Sequence, residues 1–172
     1  MSLTTAQLQT LKAHILSDQA LVALVNTGQY GEIRDALNLQ ASPDFYVYRT
    51  AVTRIEIQNE VGTGGAGGTA SEWDWTVYKG QSVSEQGAWR DMAMGDGINF
   101  AKIKVREGIA KIFAGTGAIA AMRAHILSFA SRLATRAEKI LATGTGSIAS
   151  PATMSFEGQL TERDVEDALV KG

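Results

Sequence analysis

The stretch AIAAMRAHILSFASRLATRAEKILA, residues 118–142, contains neither proline nor glycine. Within it Ile119, Met122, Ile126, Phe129, Leu133 and Ile140 recur at spacings of three and four, and Ala137 bridges the one wider gap. That period places apolar side chains on one stripe of a helix. The stretch therefore reads as one helix of about 25 residues, about 37 Å long, around which a mainly α, helical-bundle fold assembles. Its other faces carry Arg123, Arg132, Arg136 and Lys139 against a single acid, Glu138.

Immediately downstream, TGTGSIASPATMSFEG (143–158) has the small, glycine-bearing composition of a phosphate cradle. Phosphate loops precede a helix, whose N-terminal N–H groups face the anion. Here the Thr-Gly pairs follow a long helix, at the end where its dipole is negative, and no Gly-Lys-Ser/Thr tripeptide occurs. The segment reads as a joint, with Gly144 a left-handed cap, Gly146 a turn residue, and a short extended run over about 152–157 after Pro151. Thr161 and Asp164 cap a last helix, with Leu160 and Val165 placed as a hydrophobic staple. From Ser155 onward there are five acids and two bases. That charge is opposite to 118–142 and suits pairing within or between subunits.

Upstream, Thr4 and Gln7 form a capping box for an amphipathic helix carrying Leu8, Leu11 and Ile15. Asp18 can cap a second helix, QALVALVN, and YGEIRDALN adds a third with Ile33 and Leu37 on one face. ASPDFYVYRT (41–50) is aromatic and fits strand or helix. Thr53 and Glu56 suggest a cap for RIEIQNEV, although its β-branched content argues for strand. Five of the seven residues from Gly62 to Gly68 are glycine, which is costly to order, so a flexible arm is expected at about 61–80. At its far end Trp73, Trp75 and Val77 alternate with Asp74, Thr76 and Tyr78, the period-two mark of a strand over 72–78. Ser82 and Glu85 then open a helix with Trp89 and Met92 on one face. Val105, Ile109, Ile112 and Phe113 mark another.

The 172 residues suit one domain over 1–172, ending in an extended segment plus a short helix at about 144–170. A net charge of −2 argues against a wholly basic nucleic-acid binder, and the absence of cysteine removes disulfides, thiolate nucleophiles and sulfur-ligated metals. The N-terminus lacks a basic region followed by an apolar run, and no apolar run approaches the roughly 20 residues that cross a bilayer. A soluble intracellular protein, or one assembled inside a cell, is expected, without membrane contact. His14 and His125 have no carboxylate at metal-ligand spacing, and no Gly-x-Ser-x-Gly elbow occurs. No catalytic, metal or cofactor-binding residue is expected, and no cofactor. Tryptophans at the end of an arm suit docking in a neighbour's pocket. Trp73, Trp75 and Tyr78, with Arg132 and Arg136, are therefore the candidate assembly contacts; core packing is the competing reading of the Trp pair.

The segments RLATRAEKILATGTGSIASPATMSFEGQLTERDVEDAL, ALNLQASPDFYVYRT and WDWTVYKGQSVSEQGAWRDMAMGD together resemble a family of small proteins encoded in tailed phages and prophages, among the virion-structure genes between capsid and tail. The resemblance covers most of the chain and lies in whole segments rather than in a catalytic motif. It implies a structural protein and no enzyme: a head–tail connector, or adaptor, that is mostly helical with long arms. Such subunits form an interlocked homo-oligomeric ring of about twelve copies. It implies a portal protein on one side, a tail-side neck protein on the other, and nonspecific contact with genomic DNA in the lumen. Its place would be the virion neck, after assembly in the host bacterial cytoplasm. The alternatives are another virion component, in capsid decoration or tail completion, and a small DNA-binding regulator.

Overall fold

The computed structural model describes residues 3–62 and 71–172. The chain forms two compact units: unit 1 combines Met1–Val47 with Leu133–Gly172, and unit 2 is the intervening Tyr48–Arg132. Among the described residues there are ten helices and four short strands, so the mainly helical expectation holds.

In unit 1, Thr4 caps α1 (Thr5–Ser17) in a full capping box with Gln7, and Leu8, Leu11 and Ile15 form its buried stripe. Asp18 ends α1 and starts α2 (Gln19–Asn26), its carboxylate accepting from the N–H groups of Ala20 and Leu21. α3 (Tyr30–Asn38) buries Ile33 and Leu37. These helices pack with two that lie far along the chain, α9 (Arg136–Leu141) and α10 (Glu162–Lys171). The shared core includes Leu11, Ile15, Leu37, Ala137, Leu141 and Val165. The Asn38 side chain acts like a strand edge toward Leu160: its Nδ2 donates to the Leu160 carbonyl at 3.0 Å and its Oδ1 accepts from the Leu160 N–H at 2.8 Å.

The Thr-Gly segment is a joint, but Gly144 is not the helix cap expected of it: α9 ends at Ala142 in extended backbone, and Gly144 follows a strand. Between β3 (Ala142–Thr143) and β4 (Thr153–Met154), which pair antiparallel, it turns the chain back on itself. Gly146 has φ +64°, and a Cβ there would lie 2.1 Å from the Phe45 ring. Only glycine meets both conditions.

In unit 2, Thr53 caps α4 (Arg54–Asn59), and Ser82 with Glu85 forms the capping box of α6 (Val83–Met92). α7 (Ile103–Ile112) packs against α6 and α8 (Ala118–Ser128). The core gathers Ile57, Trp73, Trp89, Phe100, Ile109, Phe113, Met122 and Ile126. The expected strand over 72–78 is not there. Trp73 lies in irregular backbone and α5 (Trp75–Gly80) follows it. Asp74 decides the outcome: its carboxylate accepts from the N–H groups of Thr76 and Val77 at 2.8 and 3.1 Å, an N-cap that an alternating pattern conceals. The glycine arm expected at about 61–80 falls in part on residues 63–70, outside the described residues.

The single helix expected over 118–142 is also corrected. Three elements occupy that stretch: α8, β2 (Ser131–Leu133) and α9. β2 pairs with β1 (Tyr46–Tyr48) in a two-stranded sheet, and the chain leaves unit 1 within β1 and returns within β2. Backbone groups that would have continued the helix find other partners. The Ala130 carbonyl accepts from the Arg49 N–H, the Ala134 N–H donates to Phe45, and the Arg136 N–H donates to Leu39, each at 2.9 Å. Thr135 then restarts the helix with a capping box to Glu138. The apolar stripe is divided accordingly: Met122 and Ile126 are core residues of unit 2, while Ala137 and Leu141 belong to the core of unit 1.

The Glu138 carboxylate is buried and accepts from the Thr135 N–H at 2.9 Å and the Gly158 N–H at 3.0 Å. Thr135→Ala removes one cap and is expected to cost about 1 kcal/mol. Glu138→Ala strands both N–H groups and is expected to cost about 3 kcal/mol. Urea unfolding of the two variants measures the difference; equal losses would show that the Gly158 contact contributes nothing.

Candidate functional site

The aromatic residues singled out from the sequence gather on unit 2. Trp73 touches Trp75, Tyr78 and Trp89, with ring centroids 5.8, 5.4 and 5.6 Å away, and the Trp89 contact is stacked. Phe113 closes the cluster edge-on against Trp73 and Trp89. Asp74 places the two tryptophans differently by starting α5 between them. Trp73 precedes the cap and is 8% exposed, a core residue, whereas Trp75 opens the helix and is 50% exposed. Tyr78, one turn later, meets the Trp75 ring edge-on at 5.8 Å and donates its hydroxyl to the Gln86 carbonyl. Trp75 is thus a half-exposed indole held by two neighbouring rings.

Behind this cluster lies an arrangement the sequence did not reveal. Gly62 and Ser71 exchange both backbone hydrogen bonds, at 2.7 and 3.1 Å, across the segment that separates them. Ser71 Oγ stands 3.1 Å from Nδ1 of His125, and Nε2 of His125 is 2.7 Å from the Ile57 carbonyl. A carbonyl can only accept, so Nε2 carries a proton, and in the neutral ring Nδ1 accepts from the Ser71 hydroxyl. A serine against a histidine is also how a nucleophile is activated. Here, however, the ring is 0% exposed and its second nitrogen meets a main-chain carbonyl rather than a carboxylate. The N–H groups of Gly62 and Ser71 are bonded to each other's carbonyls rather than poised for an oxyanion. The arrangement acts as a latch tying Gly62 and Ser71 to α4 and α8. Sequence spacing could not show it, because the partners of His125 lie 54 and 68 residues away.

The two candidate arginines belong to different units. Arg132 sits in β2 and lines a concavity on unit 2 with Arg49, Glu56, Glu60 and Phe129. Arg136 opens α9 and pairs with Asp18 at 3.0 Å. That partner is the cap of α2, not the acidic C-terminal stretch suggested by charge alone. Burial pushes the Asp18 carboxyl up, but the Ala20 N–H, the Arg136 guanidinium and the Leu21 N–H together hold it below its ordinary value. His14, one turn before Asp18, is held below the ordinary histidine value of 6.5 by burial and then by the Arg136 charge, with Asp18 opposing. Among the described residues, no three His, Asp or Glu side chains gather as a metal-holding group, and no helix is long and apolar enough to cross a membrane.

Three expectations follow. Trp73→Ala empties the core and should cost about 3–5 kcal/mol in chemical unfolding, whereas Trp75→Ala should cost about 1 kcal/mol or less. Gly62→Ala brings a Cβ to 2.3 Å from Ser128 Oγ and 2.9 Å from His125 Nδ1, and should cost about 1–3 kcal/mol. For His14, the folded state binds the proton less readily than the unfolded state. Stability should therefore fall as pH drops below 6.5, and His14→Gln should lessen that fall relative to wild type in pH-dependent unfolding.

No family model, curated protein or solved structure matches the chain.

Proposed function

We propose that the chain is a structural virion protein: a head–tail connector subunit of a tailed phage that assembles as a ring between portal and tail. The observation that carries this reading is Trp75. A large aromatic side chain, half exposed and braced by Trp73 and Tyr78, suits the anchor of a protein interface. Its orientation is set before contact, so little side-chain freedom is lost on docking. Val83 at the start of α6 and Ile55 in α4 are further exposed apolar side chains of unit 2.

A ring needs a heterologous contact, in which one patch of a subunit meets a different patch of the next and the rotation closes. In this reading Trp75 supplies one side of that contact. Trp73 lies behind it as support, and the portal and tail-side proteins meet the two faces of the ring. Catalysis has no part in this role.

Quantitative mass spectrometry of purified particles tests it. About twelve copies per particle is the expected result for one ring. Hundreds of copies would move the protein to the capsid surface or tail, and absence from particles would redirect attention to DNA binding. In parallel, Trp75→Ala should leave a folded monomer yet weaken assembly about 30-fold or more, as loss of a hot-spot anchor does; undiminished assembly would remove Trp75 from the interface.

A further inference from the structure

A concavity of about 320 Å³ on unit 1 is lined by His14 of α1, Ser42 of the segment before β1, and Arg136, Lys139 and Ile140 of α9. We propose that this concavity is an anion site that takes a phosphate group. Arg136 and Lys139 supply the charge, and Ser42 and His14 add hydrogen bonds.

The argument starts from donors without acceptors. Arg136 commits Nη2 to Asp18 at 3.0 Å, which leaves Nε and Nη1 of the guanidinium fork to point elsewhere. The Lys139 ammonium lies 5.6 Å from the centroid of the Phe45 ring and has no carboxylate partner among the described residues. Nε2 of His14 is buried and has no hydrogen-bond partner. An orphaned ring nitrogen of this kind costs stability unless something fills the place beside it. Ser42 is exposed and offers a hydroxyl.

Charge selects the ligand. Arg136 and Lys139 are cationic, Asp18 offsets one of them, and the His14 ring is kept neutral by burial and by Arg136. The lining is therefore net positive by about one charge, and its partners are nearly all donors. A tetrahedral oxyanion matches both conditions: it accepts from several directions at once, and the guanidinium fork engages two of its oxygens. By contrast, the concavity of unit 2 that holds Arg132 mixes Arg49 with Glu56 and Glu60 and selects no sign. Arg136 also stood among the candidate assembly contacts, but the phosphate inference does not rest on the Trp75 interface, because none of these side chains belongs to the aromatic cluster.

The test is a titration of the full chain with inorganic phosphate against chloride at matched ionic strength. It is followed by the His14 ring resonances and by the melting temperature. The expected result is a saturable movement of the His14 signals and a rise in melting temperature. Lys139→Gln leaves the Arg136–Asp18 pair intact and should weaken phosphate about tenfold, the loss of one charge-assisted hydrogen bond. Ser42→Ala, at an exposed position, should weaken it about threefold. A response no larger than that to chloride would overturn the proposal, as would identical phosphate affinity in Lys139→Gln. A short DNA duplex added as competitor identifies the source of the group. Displacement of phosphate supports the site with a nucleic-acid backbone as its ligand. Saturable phosphate binding that the duplex leaves untouched supports it with a small phosphorylated molecule.

Discussion

The carboxylate of Glu138 determines where this chain stops being one helix. It is buried, and it accepts from the N–H of Thr135 on one side and of Gly158 on the other. A carboxylate taken out of water is costly unless such donors surround it. By capping α9 at Thr135 it leaves the preceding residues in extended conformation, which frees β2 to pair with β1. By holding Gly158 it ties the returning arm of the β3–β4 hairpin to α9, and α10 follows from there. The positions of Ala137 and Leu141 in the core of unit 1 depend on that restart.

Features whose cause lies within three or four residues were legible in the sequence. The capping boxes at Thr4, Ser82 and Thr161 and the helices of residues 5–38 stand where they were read, because the side chain and the N–H it satisfies are close neighbours. The break in 118–142 was not legible, since the groups that replace the helical bonds belong to Leu39, Phe45 and Arg49. One local sign was present: Thr135 and Glu138 have the spacing of a capping box, hidden inside an unbroken apolar period. WDWTVY failed for a related reason. Six residues of alternation fit either secondary structure, and the N-cap carboxylate of Asp74 settled the matter. The division into two units was hidden because one apolar stripe feeds both cores. At the candidate site, the aromatic clustering could be anticipated. The split between buried Trp73 and half-exposed Trp75 could not, because it depends on which side of Asp74 each lies.

Both units leave buried polar atoms without partners: the indole N–H groups of Trp73 and Trp89 in unit 2 and Nε2 of His14 in unit 1. The latch of unit 2 is fully used: both nitrogens of His125 have partners, and nearby in the same unit Arg49 pairs with Glu56 at 2.5 Å. In unit 1, donors are left over around α9, where one guanidinium is half committed and one imidazole nitrogen has nothing opposite it. A satisfied network holds a shape, whereas an orphaned buried donor costs stability unless a ligand can reach it; the two indoles lie in a core, and His14 lines a concavity.

The order of the units along the chain bears on how the protein is made. Unit 2 is one continuous stretch, so every residue it needs has been synthesised before residue 133 is added. Unit 1 must wait. α1 packs on α2 but lacks the larger part of its core until α9 and α10 arrive, and the contacts of Gln7 with Ser155 and of Lys12 with Gly172 span almost the whole chain. Throughout that interval the apolar stripe of Leu8, Leu11 and Ile15 stays incompletely buried, as a nascent surface that invites chaperones or premature association. α1, made well before α9 and α10, is among the last elements of unit 1 to be secured.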